Sequence, residues 1–158
     1  MSNILVACFS AEGHTEPLAK RLSSAIGADY YAIVPEKPYT KADVKWTNPL
    51  ARCNRERLAG KDVPLAGAVE NFDSYDTVFL GFPIWYGGAP LAVSTFVKAY
   101  DWSGKKVVLF ATSGGGGMGK TAERLKGAFR GAGEIAGEKL FPSAAPESEL
   151  KAWAEKYI

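Results

Sequence analysis

Short unbroken apolar runs alternate with longer amphipathic ones along this chain. The apolar runs fall at 4–9, 30–34, 77–82 and 107–111, with a weaker fifth at 139–141. Segments such as VFLGF and VVLFA do not alternate apolar with polar residues, as a strand wetted on one side would, so they read as strands covered by helices on both faces. Helical spacing fills the gaps. The stretch 15–26 places Leu18, Leu22 and Ile26 four residues apart, with Thr15 as N-cap, Pro17 in the first turn and Gly27 as stop. Further helices are predicted over 90–100, opening on Pro90, over 120–129 with Leu125 and Phe129 on one side, and over 147–157 with Leu150, Trp153, Ala154 and Tyr157 on one face. This alternation is that of βαβ units, and it predicts an α/β fold with a parallel sheet in a single domain over 1–158.

The stretch 35–75 breaks the rhythm. It carries Pro38, Pro49 and Pro64 and no clear strand, and it is far longer than an ordinary connection. Such an insertion either contains a helix, for which 48–58 is the candidate, or covers a site. Its Arg52, Arg55 and Arg57 read as a solvated helix face, or as an attraction for a cofactor phosphate or an acidic partner.

Composition narrows the class without naming a function. The chain has 158 residues, enough for one domain with a proper core. Its formal net charge of +2, with Lys and Arg scattered, gives no footprint for nucleic acid. No apolar run is long enough to span a membrane. The N-terminus enters the first strand without a basic leader, so the expected compartment is the cytoplasm. Cys8 and Cys53 form no C-x-x-C pair and there is one histidine, which leaves no structural zinc set and no metal site. Cys8 reads as a small core hydrophobe.

Three loops leave the C-terminal ends of predicted strands, where ligands bind in open α/β sheets. The first, Phe9-Ser10-Ala11-Glu12-Gly13-His14-Thr15, leads into a helix N-terminus, whose free N–H groups and dipole attract an anion. Ser10 and Thr15 add hydroxyls, Gly13 permits close approach, and Glu12 must act through its backbone or point away. The other reading is an ordinary capped turn. The second loop, 82–90, sets Trp85 beside Tyr86 between Pro83 and Gly87-Gly88. Exposed, these rings would suit a flat aromatic ligand; otherwise they fold back on the core. The third loop, 112–119, holds four consecutive glycines, which makes sense where backbone must lie against a ligand. Gly114 to Thr121 also matches G-x-x-x-x-G-K-T, a phosphate-binding loop. A nucleotide hydrolase would further need a strand-end aspartate for magnesium, and no aspartate follows Thr121.

The segments FSAEGHT, LGFPIWYGGAP and FATSGGGGMGKT, in that order and over nearly the whole chain, resemble the flavodoxin family. The likeness is to short bacterial flavodoxin-like proteins with F-S-x-T-G-N-T, G-F-P-I-W-W/Y and T-S-G-G-x-x-x-G-K-T stretches. It implies a doubly wound, three-layer α/β/α fold whose five-stranded parallel sheet has the order 2-1-3-4-5, for which flavodoxin is the type example, with FMN at the switch point. It implies that Ser10, Gly13, His14 and Thr15 hold the FMN phosphate, with Glu12 present through its backbone. Pro83, Ile84, Trp85, Tyr86 and Gly87 would line the isoalloxazine, and Thr112, Ser113, Gly114 and Gly115 would meet its edge through main-chain groups.

No residue stands out as a catalytic acid or base. The function implied is a low-potential electron carrier serving a redox partner protein. The alternative is an FMN-dependent NAD(P)H oxidoreductase acting on quinones or similar small acceptors. A binding module that has lost its cofactor is a third class, opposed by the intact Ser10, Gly13 and Thr15. The expected assembly is a monomer or weak dimer. Departures from the pattern matter too: Glu12 and His14 replace Thr and Asn, and the slightly basic charge argues against an acidic docking face. The third loop lacks the aromatic that often covers the second flavin face. That face is then open to a substrate, or roofed by the 35–75 insertion with Tyr39 and Trp46.

Overall fold

Apolar runs that bury both faces need a layer of helices on each side, and the chain supplies them. The computed structural model describes residues 3–10, 15–37, 39–44, 47–59, 63–85, 89–112, 121, 125, 128–129, 131 and 135–158. In chain order the elements are β1 (Ile4–Cys8), α1 (Thr15–Ile26), β2 (Asp29–Ala32), β3 (Val34–Pro35), α2 (Arg52–Ala59), β4 (Leu65–Ala66), β5 (Thr77–Pro83), α3 (Leu91–Lys98), β6 (Lys106–Thr112), β7 (Ile135–Leu140) and α4 (Glu147–Ala154). The main sheet runs β2-β1-β5-β6-β7 with every pair parallel, which is the expected 2-1-3-4-5 when its five strands are numbered in sequence. β3 and β4 form a separate antiparallel pair within the insertion.

Alternate residues of each central strand serve opposite cores. Leu5, Ala7, Val78, Leu80, Phe82, Val107, Leu109 and Ala111 join Ala92, Val93, Phe96 and Val97 of α3 and the wholly buried Trp102. Val6, Cys8, Phe79, Val108 and Phe110 join Leu18, Ala19 and Leu22 of α1 and Leu150 and Trp153 of α4 on the other face. Gly27 ends α1 with φ +65°, and the Ala28 N–H reaches the Ser23 carbonyl at 2.9 Å, the Schellman closure that a glycine at this position permits.

The boundaries differ from the sequence expectation in instructive ways. The second strand stops at Ala32, because Val34 and Pro35 turn out of the main sheet to pair with Ala66 and Leu65. The weak fifth strand is longer, Ile135–Leu140; as an outer strand it mixes half-buried with exposed residues and so lacks a solid apolar run. β5 continues through Pro83, which pairs opposite Thr112. α3 begins at Leu91 with Pro90 before it. The insertion does hold a helix, α2. Cys8 and Cys53 are both buried and are not joined in a disulfide. Among the described residues, no helix is long and apolar enough to cross a membrane and no group of side chains could hold a metal ion.

Gly81 is a packing requirement. It pairs in register with Phe110, and a Cβ built on it would stand 2.2 Å from Phe110 Cζ. Both residues are held in the sheet, so the ring cannot swing clear cheaply. Gly81→Ala is expected to destabilise the protein by about 1–3 kcal/mol, the usual cost of overpacking a core. Urea unfolding checks this, with an unchanged m-value expected.

Candidate functional site

Parallel register brings the C-terminal ends of β1, β5 and β6 to one edge. The Phe9 N–H donates to the Gly81 carbonyl at 2.9 Å, and the Ile84 N–H donates to the Thr112 carbonyl at 2.8 Å. The ends of these strands are thereby laced together.

A hydroxyl pair adds a third tie. Thr15 and Thr112, both buried, share a hydrogen bond of 2.7 Å between their Oγ1 atoms. The sequence expectation made Thr15 the N-cap of α1. Instead it is the first helical residue, and its hydroxyl joins the start of α1 to the end of β6. This link was invisible in the sequence, since 97 residues separate its partners.

Ser10 follows Phe9 directly in the chain and is the unusual member. Its Oγ is buried without a hydrogen-bond partner among the described residues. Such a group normally costs folding about 1–3 kcal/mol unless something else supplies a partner. A hydroxyl at the mouth of a strand-to-helix turn is well placed to donate to an anion held by that helix start.

Phe9, the residue before Ser10, roots an aromatic patch. Trp85 meets Phe9 edge to face, with ring centroids 5.7 Å apart, and meets Tyr39 at 5.5 Å. Tyr39 also meets Phe9 at 5.8 Å. Phe9 is buried, whereas Trp85 and Tyr39 stay partly exposed, so the patch is rooted in the core and open at the edge. Pro83 and Ile84 are likewise half-buried here. Tyr39 brings the insertion to the edge, so the insertion both contains a helix and reaches the site.

Two titratable groups among the described residues at this edge, Cys8 and Tyr39, are pushed up in pKa. Burial pushes the Cys8 thiol well above its ordinary range, which removes thiolate chemistry there. Tyr39 is pushed up as well, by burial first and then by donating its phenol to the Glu56 carboxylate. Arg52, expected on a solvated face, is engaged: its Nε lies 3.0 Å from Glu56 and its guanidinium carbon 4.0 Å from the Tyr39 ring centroid.

Of the residues expected at the site, the structure brings together Ser10, Thr15, Pro83, Ile84, Trp85 and Thr112. Glu12, Gly13, His14, Tyr86, Gly87, Ser113, Gly114 and Gly115 lie outside the described residues, as do Trp46 and the rest of 113–120. Tyr39 was foreseen only as a roof, and the roles of Phe9 and Arg52 were not foreseen. An aromatic directly ahead of Ser10 was the available signal for Phe9.

The sequence profile of the family described as Flavodoxin matches residues 3–157. The chain belongs to the flavodoxin family. Similar solved structures agree. A candidate flavoprotein from Bacteroides eggerthii is 38% identical, with 99% of this chain and 98% of that one covered and a TM-score of 0.88. A candidate flavoprotein from Bacteroides uniformis is 32% identical, with 98% of each chain covered and a TM-score of 0.89. A flavoprotein from Lactobacillus acidophilus, solved in complex with FMN, shares the fold at 19% identity, with 98% of this chain and 99% of that one covered and a TM-score of 0.73. No curated protein matches the chain in sequence. Membership in the flavodoxin family also displaces the nucleotide-hydrolase reading of the Gly114–Thr121 pattern.

The hydroxyl tie can be tested within this flavodoxin. Thr15→Val leaves the Thr112 hydroxyl buried without its partner and is expected to cost about 1–3 kcal/mol. The double variant Thr15→Val, Thr112→Val removes both hydroxyls and is expected to regain much of that loss. Urea denaturation of the two single variants and the double closes the cycle.

Proposed function

We propose that this flavodoxin binds one FMN at the edge formed by β1, β5 and β6 and works as a low-potential electron carrier for a redox partner protein. The observation that carries the cofactor reading is the buried hydroxyl of Ser10, just past the end of β1, which has no hydrogen-bond partner among the described residues. An FMN phosphate there would accept its proton, with Thr15 beside it and Glu12, Gly13 and His14 completing the loop. Trp85 and its neighbours Pro83, Ile84, Tyr86 and Gly87 would form the wall for the isoalloxazine, and Thr112 to Gly115 would meet its edge. The family and the FMN complex of the Lactobacillus relative support the same reading.

When bound, FMN supplies reversible one- and two-electron transfer. The chain's own part is to hold the ring, keep water from its buried side and leave an edge accessible. Phe9 and Trp85 make that wall apolar, which disfavours added negative charge and favours a low potential. Apart from Ser10, the described polar groups at this edge are tied to one another and not aimed at a substrate, which supports the carrier reading. Cys8 and Tyr39 are held protonated, and Glu56 is committed to Arg52 and Tyr39.

Titration of the purified protein with FMN and with riboflavin tests the cofactor. FMN should bind at one per chain with a perturbed flavin spectrum; absence of binding overturns the reading. Ser10→Ala should weaken FMN by roughly tenfold or more, the worth of one charge-assisted hydrogen bond, and leave riboflavin affinity unchanged. Anaerobic addition of NADH or NADPH to the loaded protein then separates the two activities. A carrier keeps its oxidised spectrum over minutes without a separate reductase, whereas rapid bleaching would make the protein an NAD(P)H-dependent oxidoreductase.

A further inference from the structure

The crossover between β2 and β5 is fastened to the aromatic patch through one arginine. The Arg52 guanidinium lies over the Tyr39 ring with its carbon 4.0 Å from the centroid. It is held there from several sides: Nε at 3.0 Å from Glu56, Nη1 donating to the Lys37 carbonyl at 2.6 Å, and Asp43 at 3.9 Å. Glu56 in turn accepts a hydrogen bond from the Tyr39 phenol. Asp43 is itself fixed, taking the Thr40 N–H at 3.0 Å, which holds its carboxyl below the usual range.

Tyr39 is therefore held at every part of its side chain. A cation covers its ring, a carboxylate takes its hydroxyl, and Phe9 and Trp85 meet it edge to face. The Arg52 and Glu56 side chains are 17% and 23% exposed, so this is no loose surface pair. An exposed ion pair would contribute little order, but a guanidinium that lies over a ring while its Nε holds a carboxylate and its Nη1 a backbone carbonyl keeps that ring in place. Tyr39 and Trp85 stand 86° apart and both keep exposed surface, so together they make a corner of two ring planes against Phe9, the residue before Ser10. A planar ligand stacked on one ring is edged by the other, and a ring fixed beforehand loses little entropy on binding.

We propose that Tyr39 is an aromatic contact of the flavin ring supplied by the crossover, and that Arg52 is the positioning residue that holds it against Trp85. The inference rests on the FMN reading above and extends it: the insertion is part of the ring site, and α2 exists to anchor it. Arg52 acts through Tyr39 and has no contact with the ligand to make. A lysine there keeps the charge without the planar fork, so charge and geometry are separable.

FMN affinity and the visible circular dichroism of the bound flavin, measured for wild type, Tyr39→Phe, Tyr39→Ala, Arg52→Lys and Arg52→Ala, test this. Tyr39→Ala should loosen FMN roughly tenfold, the size of one lost aromatic contact, and change the dichroism of the flavin. Tyr39→Phe keeps the ring and should stay near wild-type affinity. Arg52→Ala and Arg52→Lys should both weaken binding by a smaller factor and move the dichroism in the direction of Tyr39→Ala. Thermal unfolding is followed in parallel. Variants that melt earlier yet bind FMN with wild-type affinity and dichroism would make the crossover a buttress only, and overturn the proposal. Should Tyr39→Ala not fold, Tyr39→Leu and Arg52→Ala carry the same comparison. Wild type that takes up no FMN removes the cofactor reading and this proposal together, whereas wild type that binds as tightly as Tyr39→Ala sinks this proposal alone.

Discussion

Parallel pairing sets Cys8 opposite Gly81 and Gly81 opposite Phe110, so β1, β5 and β6 finish at the same edge of the sheet. Everything at the candidate site inherits its position from that register. The Phe9 and Ile84 N–H groups continue the lacing one step past the strand ends, and the Thr15–Thr112 hydroxyl pair extends it to the start of α1. Because side chains alternate between the two faces, slipping one strand by a single residue would exchange the two cores as well as break these ties. Burial of both faces thus enforces the level edge on which three loops can meet.

Much of this was written in the residues because a doubly covered parallel sheet has a loud signature. Continuous apolar runs gave β1, β5 and β6, and the four-residue spacing of Leu18, Leu22 and Ile26 with Gly27 behind them gave α1, with only the role of Thr15 at its start differing. β7 was faint because its outer position leaves Glu138 and Lys139 among its residues, so burial does not select an apolar run. The early exit of the chain at Val34 could not be read, since its partners Leu65 and Ala66 lie far along the sequence and make only a two-residue pairing. The same limit applies at the site. Local chemistry marked Ser10, Thr15 and Trp85, but which hydroxyl Thr15 meets is decided by the fold.

Arg52 shows how a local rule can be right in type and wrong in place. Three arginines close together on a short helix ordinarily face water, and Arg55 does. Arg52 instead lies on the side of α2 that faces Tyr39, with Glu56 one turn later. The i,i+4 spacing of Arg52 and Glu56 was legible as a helix pair worth a few tenths of a kcal/mol. What spacing could not convey is that an aromatic ring from the insertion would lie under the guanidinium, turning a surface pair into a clasp.

Ser10 and Arg21 both bury a polar atom that lacks a partner among the described residues, yet they carry different meaning. Arg21 still donates through its other nitrogen to the Ser143 carbonyl, so its guanidinium keeps an anchor between α1 and the turn before α4. Its unpaired Nε is a partial loss on a group already tied down. Ser10 has one hydroxyl and nothing else to offer, and it stands where β1 ends and a helix start begins. A serine replaced there by alanine would spare the chain the cost of the buried hydroxyl, so the hydroxyl makes physical sense where a ligand supplies its partner. Polar groups that folding leaves unsatisfied are informative in proportion to how little else they do, and by that measure Ser10 points to an anion more directly than any motif in the chain.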